Sequence, residues 1–147
     1  MTILEITKQI INEYPHIEDF TNNIHYDFAD DTEGEAGLYI AGDRKISEDV
    51  LGNQIRQSDM IMYATCQAAS DYDRLNNSNF LSNLSWYLEN VEQGAYEVTI
   101  GDDNNVKKGK LEQISCSNAM LLAYLTDELT GPVRYQLQIT AQYRIDN

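Results

Sequence analysis

Cysteine and basic residues are both scarce in this chain of 147 residues, which has two Cys and ten Lys or Arg against 24 Asp or Glu. Two cysteines are too few for a disulfide framework, and neither a CxxC motif nor a Cys/His spacing indicates zinc. Cys66 and Cys116 each lie in an apolar run. We therefore expect buried free thiols in a protein of a reducing compartment.

The low basic content gives a formal net charge of −14. Binding to phosphate backbones depends on clusters of Lys and Arg, so this balance weighs against a nucleic-acid-binding protein. The charge is compatible with high solubility, with a basic partner, or with a surface that repels DNA.

Long apolar runs are absent as well. No run approaches the roughly 18–20 residues of a membrane span, and the first residues lack the basic and apolar regions of a signal peptide. We therefore expect a soluble intracellular product without membrane association. The hydrophobic fraction of 42% is enough for a core, and the length favours a single domain over residues 1–147.

Signatures of catalysis and of cofactor binding are also lacking. His16 and His25 are the only histidines, no nucleophile–histidine–acid arrangement is recognisable, and no GxGxxG or GxxxxGK motif occurs. His25 and Asp27 would share a strand face, where a metal site can begin, but a surface histidine beside an acid is far more common. We therefore expect neither enzymatic activity nor a bound metal or cofactor. The alternative is an enzyme whose carboxylates meet in a cleft.

An acidic cluster resembles a calcium loop in composition alone. Its members are Asp102, Asp103, Asn104 and Asn105. Counted from Asp103, the sixth position is Lys108, where an EF-hand needs glycine. Because the cluster consists of turn-forming residues between two strand-like segments, the sequence predicts a hairpin with a polar tip.

Two stretches have the caps and the periodicity of helices. Thr2 starts a capping-box pattern, after which aliphatic residues recur at helical spacing until Pro15 limits the helix to about residue 13. Ser70 starts a second such pattern, and an apolar stripe predicts a helix over about 71–92 with Gly94 at the C′ position. The stripe comprises Leu75, Phe80, Leu81, Leu84, Leu88 and Val91.

Alternating or short apolar segments predict strands elsewhere. They lie at about 24–28, 38–40, 45–51, 54–67, 96–100 and 111–116. Gly52 and Asn53 predict a two-residue hairpin turn, and the acidic stretch 30–37 predicts a solvated loop. The apolar run 119–125 leaves strand and helix open, because its period favours neither.

The segment 134–145 has the clearest pattern in the chain. One face would carry Tyr135, Leu137, Ile139, Ala141, Tyr143 and Ile145, and the other Gln136, Gln138, Thr140, Gln142 and Arg144. A strict period of two predicts a long strand with one buried face, and the two helices can cover that face. The polar face has amides and one cation but no carboxylate, which indicates that something packs there.

The order of these elements resembles that of a known family. Two segments carry most of the resemblance: a helix with Asp73-Arg-Leu-Asn-Asn, Phe80-Leu and Trp86-Tyr-Leu-Glu-Asn90, and a final strand with Gly-Pro-Val-Arg-Tyr-Gln-Leu-Gln-Ile. With the N-terminal helix and the hairpins, they are similar to the small minor structural ("minor capsid") proteins in the head–tail module of long-tailed phages and prophages of Gram-positive bacteria. These minor structural proteins resemble the tail terminators.

The resemblance implies an α+β fold in which two helices pack on one face of a mixed, mainly antiparallel sheet. It also implies a homohexameric ring that caps the tail tube, stops the polymerisation of the tube protein and presents a surface to head-completion proteins. DNA would pass through the ring without specific binding. The protein would occupy the host cytoplasm during assembly and the head–tail junction of the virion afterwards.

Within such a ring, we expect four residues at a subunit contact or at the lumen, namely Gln136, Gln138, Gln142 and Arg144. The loop 30–37 and the tip at 102–105 are candidate flexible elements that order on contact with the tube or the connector. Two other functions stay open. One is a different head–tail joining protein, and the other is an acidic inhibitor or binding module that imitates the charge of DNA and needs regular rows of carboxylates.

Overall fold

One sheet of six strands forms the body of the protein, and two helices lie against one of its faces. The computed structural model describes residues 1–128 and 130–147, and within them the helices are α1 (Ile3–Asn12) and α2 (Asp71–Glu89). A short 3-10 helix, Ile17–Asp19, follows α1. The strands are β1 (Asn23–Tyr26), β2 (Glu35–Glu48), β3 (Gln54–Gln67), β4 (Glu97–Ile100), β5 (Lys107–Tyr124) and β6 (Pro132–Asp146).

Across the sheet the strands follow the order β1-β2-β3-β6-β5-β4. β1 pairs with β2 in parallel, and the other four neighbouring pairs are antiparallel. The terminal strand β6 therefore lies in the interior of the sheet, between β3 and β5. The predicted α+β fold, with a mixed and mainly antiparallel sheet, is confirmed.

The helices pack on the side of the sheet that we term the covered face. The apolar side chains of β6 lie there and are all buried: Tyr135, Leu137, Ile139, Ala141, Tyr143 and Ile145. Ile6 and Ile10 of α1 and Leu84 of α2 are fully buried in the same cluster, which confirms the predicted cover. Burial of such a side chain stabilises the fold by roughly 1.5–3 kcal/mol before chain entropy is counted.

Helix α1 begins and ends as its sequence indicates. The Thr2 hydroxyl accepts a hydrogen bond from the amide of Glu5 at 3.4 Å and donates one to the Glu5 carboxylate at 3.1 Å, so the predicted cap forms. The helix ends at Asn12, shortly before Pro15, because the residue preceding a proline disfavours helical geometry.

Helix α2 starts at the predicted cap but ends early. The Ser70 hydroxyl accepts a hydrogen bond from the Asp73 amide at 3.2 Å. The helix ends at Glu89, so the assignment of Gly94 as its C′ residue is wrong. Gly94 instead closes a later turn with φ +79°, and its amide donates to the carbonyl oxygen of Leu111 at 2.8 Å.

The predicted apolar stripe of α2 is partly wrong at its start. Leu81, Leu84 and Leu88 are fully buried, whereas Leu75 is 58% exposed. Leu75 precedes Leu81 by six residues, which at 3.6 residues per turn puts it about 120° away around the helix. The side chain therefore projects away from the sheet.

Strand β2 departs most from its predicted form. The sequence indicated a loop at 30–37, a short strand at 38–40 and a separate arm at 45–51, whereas one strand of 14 residues runs from Glu35 to Glu48. Polar residues in its middle interrupt the apolar pattern, but they find partners on β3. Arg44 Nη1 lies 3.0 Å from Asp59 Oδ2, a cross-strand pair that no periodicity reveals.

The turn between β2 and β3 has five residues, 49–53, instead of the predicted two. The carboxylate of Asp49 accepts hydrogen bonds from the amides of Leu51 and Asn53 at 2.9 and 3.0 Å. An Asp side chain that bonds to the backbone in this way replaces part of the turn's own hydrogen bonding. The hairpin is therefore confirmed, while its tight Gly-Asn link is wrong.

Candidate assembly surface

The side of the sheet opposite the helices, which we term the open face, gathers polar side chains from four strands. The pairing register places Gln57 and Asp59 of β3 beside Thr140 and Gln142 of β6, with β2 and β5 on either flank. Its main residues are Tyr39, Arg44, Gln57, Asp59, Ile61, Tyr63, Gln113, Ser115, Ser117, Gln136, Gln138, Thr140, Gln142 and Arg144. Within the described residues, no helix packs over this set.

The four β6 residues expected at an interface all lie on the open face. Gln136, Gln138 and Gln142 are half-buried, and Arg144 is exposed near the end of the strand. Arg144 Nε lies 3.0 Å from Asp146 Oδ1, so its charge is balanced within the strand. The structure therefore brings these residues onto one surface, as their alternation predicted.

Amides on this face bond to neighbouring strands. The side-chain oxygen Oε1 of Gln138 accepts a hydrogen bond from Asn118 Nδ2 at 2.7 Å. Asn118 has φ +51° and lies at a break in the β5–β6 register, so the irregular backbone of β5 presents the Asn118 side chain to Gln138. Gln142 Nε2 donates to Gln57 Oε1 at 3.4 Å. The result is an ordered lattice of hydrogen-bonded polar groups.

Asp59 is the centre of this lattice, and sequence reasoning missed it. Its carboxylate accepts hydrogen bonds from Thr140 Oγ1 at 3.1 Å, Arg44 Nη1 at 3.0 Å and Gln57 Nε2 at 3.3 Å. Burial by itself would raise the pKa of Asp59, but these hydrogen bonds outweigh it and hold the pKa below its ordinary value. The signal in the sequence that could have identified Asp59 was an acidic residue in the middle of a strand-like segment.

An aromatic pair borders the lattice on the β2 side. The rings of Tyr39 and Tyr63 meet edge to face, with centroids 5.4 Å apart and an interplanar angle of 74°. Both residues and the adjacent Ile61 are half-buried. This border offers amphipathic contact area of the kind that protein interfaces favour.

The loop expected to be solvated crosses one end of the open face. The Thr65 hydroxyl donates to the carbonyl oxygen of Asp30 at 2.6 Å, and Arg134 Nη2 lies 2.6 Å from Asp31 Oδ1. Gly37 permits the crossing, since a Cβ there would lie 2.0 Å from the Phe28 carbonyl oxygen. Exposed acids remain in the loop, but its backbone is fixed to the sheet.

The polar tip lies apart from the glutamine residues. Asp102, Asp103, Asn104 and Asn105 form the exposed turn between β4 and β5, and the Asn105 amide donates to the Asp102 carbonyl oxygen at 3.0 Å. The predicted hairpin with a polar tip is confirmed. It lies at the same end of the sheet as the β2–β3 turn, because Lys108 pairs with Asp146 and Gln54 pairs with Ile145.

Both edges of the sheet are paired over only a short stretch. β1 pairs with residues 35–38 of β2, and β4 pairs with residues 107–110 of β5. In the described part of the chain, residues 39–48 of β2 and 112–124 of β5 therefore have no neighbouring strand on their outer sides. The run 119–125, which the sequence left open between strand and helix, belongs largely to this second edge.

A partly buried polar cluster lies on the covered face near the β2–β3 turn. The Tyr143 hydroxyl donates to Asp43 Oδ2 at 2.6 Å and accepts from Arg56 Nε at 3.3 Å, while Arg56 Nη2 lies 2.6 Å from Asp43 Oδ1. Burial, followed by the hydrogen bond to Asp43, raises the pKa of Tyr143 to about 12. The cluster fastens β2, β3 and β6 together.

The thiols have no sign of reactivity. Cys66 is buried and Cys116 is half-buried, and both are free. Desolvation raises the pKa of each thiol to about 12, so the reactive thiolate is scarce at neutral pH.

The expectation that His25 and Asp27 share a strand face is wrong. β1 ends at Tyr26, and Asp27 has φ +51°; His25 Nε2 instead lies 3.1 Å from Glu35 Oε2. Residues 1–128 and 130–147 contain no group of three or more His, Cys, Asp or Glu placed to hold a metal ion. Nor does any helix among them have the length and apolar character to cross a membrane.

Comparisons with known proteins add no relative. No protein-family model matches the chain, and no curated protein matches it either.

Proposed function

We propose that the protein is a structural component of a phage tail, a tail terminator that assembles as a ring on the tail tube. The ring ends tube polymerisation and forms the joining surface for the head. The open face carries this proposal, because it is a broad, ordered and uncovered sheet surface whose polar groups are mostly neutral.

A surface on which most charges are paired suits the lumen of a DNA conduit. Three of its arginines are paired locally: Arg44 with Asp59, Arg134 with Asp31 and Arg144 with Asp146. Lys110, opposite Arg144, is an exposed cation at the end of this face. Phosphate backbones are held by unbalanced Lys and Arg, so a surface with paired cations lets DNA move past. We therefore assign the open face to the lumen and the helices to the outside of the ring.

Sedimentation of the purified chain over a concentration series tests the ring. We expect a species of six copies of the 16.8 kDa chain, either alone or after isolated tail tubes are added as a template. A monomer at every concentration that also fails to bind tubes would contradict the proposal.

Electron microscopy of phage particles that lack the protein tests the terminator role. Overlong tails are the expected result, because nothing would stop the tube from growing. Normal tails beside filled, unjoined heads would instead assign the protein to another step of head–tail joining.

A further inference from the structure

Two strand edges of the protein are complementary to each other. We propose that residues 39–48 of β2 in one copy pair with residues 112–124 of β5 in the next copy, so that the sheets of a ring join edge to edge. This inference rests on the proposed ring and names the segments that close it.

Backbone groups without a strand partner are the first argument. An edge strand presents a row of N–H and C=O groups that attract another strand, and proteins usually block such edges. Here β1 and β4 each block only a four-residue stretch of one edge, at opposite ends of the sheet. A contact between two β5 edges would leave the β2 edge unpaired, whereas a head-to-tail contact satisfies both edges of every copy.

Strand direction is the second argument. β2 is antiparallel to β3, β3 to β6, and β6 to β5, so β5 runs opposite to β2 within one copy. Copies related by a ring axis close to the strand direction keep the same orientation. The β2 edge of one copy therefore meets the β5 edge of the next in an antiparallel pair.

The offset between the free edges is the third argument. Arg44, in the middle of the free β2 segment, is level with Gln142 of β6 through Gln57. Ser117, next to the middle of the free β5 segment, is level with Gln138. Four residues along a strand correspond to about 13 Å. A closed barrel requires such a stagger between successive strands. In this arrangement, β4 of one copy lies past the end of β2 of the next copy.

Side chains along the two edges fit this contact. Met120, Leu122 and Tyr124 are 45–49% exposed on β5, and Ile40 and Ile46 are 43% and 45% exposed on β2. Pairing the edges would remove part of this apolar surface from water. The β5 segment has one charged residue, Glu112, so the contact brings few like charges together.

Cysteine cross-linking tests the pairing in the full chain, with Cys116→Ser as the background. Antiparallel pairing about the two segment centres brings Ala41 of one copy near Met120 of the next. We expect Ala41→Cys/Met120→Cys to form a ladder of disulfide-linked oligomers under mild oxidation. Either single variant alone should stay unlinked, and a mixture of the two should give linked dimers only.

Three results would overturn the inference. Linked dimers from Met120→Cys alone would indicate a two-fold contact between β5 edges. If the protein sediments as a hexamer but neither this pair nor a second pair, Arg44→Cys/Ser117→Cys, forms a ladder, the edge contact is refuted. The proposed ring is then unaffected. Absence of any oligomer, with or without tail tubes, would remove the ring and the edge contact together.

Discussion

The two faces of β6 contain alternate residues of the same stretch, 134–145, yet their surroundings differ. On the covered face, Leu137 is completely buried among apolar side chains. On the open face, the next residue, Gln138, is half-buried and accepts a hydrogen bond from Asn118. The difference indicates that the covered face holds the monomer together, while the open face is the surface that we propose for assembly.

The largest effect should come from truncation on the covered face. We expect Leu137→Ala to lower the free energy of unfolding by about 2–5 kcal/mol, because it removes a fully buried side chain and leaves a cavity. Gln138→Ala, one position away, should change it by less than about 1 kcal/mol. Urea denaturation of both variants measures the difference, and equal losses would refute the division of tasks.

The second effect concerns assembly. Gln138→Glu/Gln142→Glu adds two negative charges to the open face, and in a ring the charges of all copies repel one another. We expect the oligomer to weaken while the monomer unfolds at nearly the same urea concentration. Sedimentation measures the stability of the oligomer, and circular dichroism measures the unfolding of the monomer in urea.

Asn79→Asp/Asn83→Asp is the matched control, because it adds the same charge to exposed positions of α2. It should leave the oligomer intact. If both double variants behave alike, the effect is one of total charge, and the open face is only a solvated sheet surface.

A smaller effect should appear at high pH. Because the pKa of Tyr143 is raised to about 12 from 10.0, the protonated phenol stabilises the fold fully below pH 10, and this contribution is lost as the pH rises toward 12. Tyr143→Phe should reduce that alkaline loss and cost about 0.5–1.5 kcal/mol at neutral pH. Thermal unfolding from pH 7 to 12 measures both, and identical alkaline slopes would contradict the hydrogen-bonded cluster.

The smallest effect should appear at low pH. The pKa of Asp59 is lowered from 3.8, so its contribution is present above pH 3.8 and is lost as the pH falls through the folded-state value. The Asp59 side chain is 37% exposed, so solvent screens the pair and we expect well under about 1 kcal/mol. Asp59→Asn should flatten the dependence of stability on pH below 4; an unchanged slope would show that Asp59 contributes nothing.

Local chemistry predicted the elements that depend on it. The Thr2 and Ser70 caps, the alternation of β6 and the polar hairpin tip were all recognisable, because each depends on residues close together in the chain. β2 was not recognisable, since the ionic partners of its polar middle lie on another strand. The Asp59 lattice was missed for the same reason, as Thr140 is 81 positions away.

By itself, the sequence determined that β6 has one apolar and one polar face and that two capped helices can cover the apolar one, because a period of two or of 3.6 residues follows from backbone geometry. Only the tertiary structure decided that β6 lies inside the sheet, that Asp59 joins its polar face, and that β2 and β5 are left with free edges at opposite ends. Strand order and register depend on contacts between distant segments, which no local pattern records.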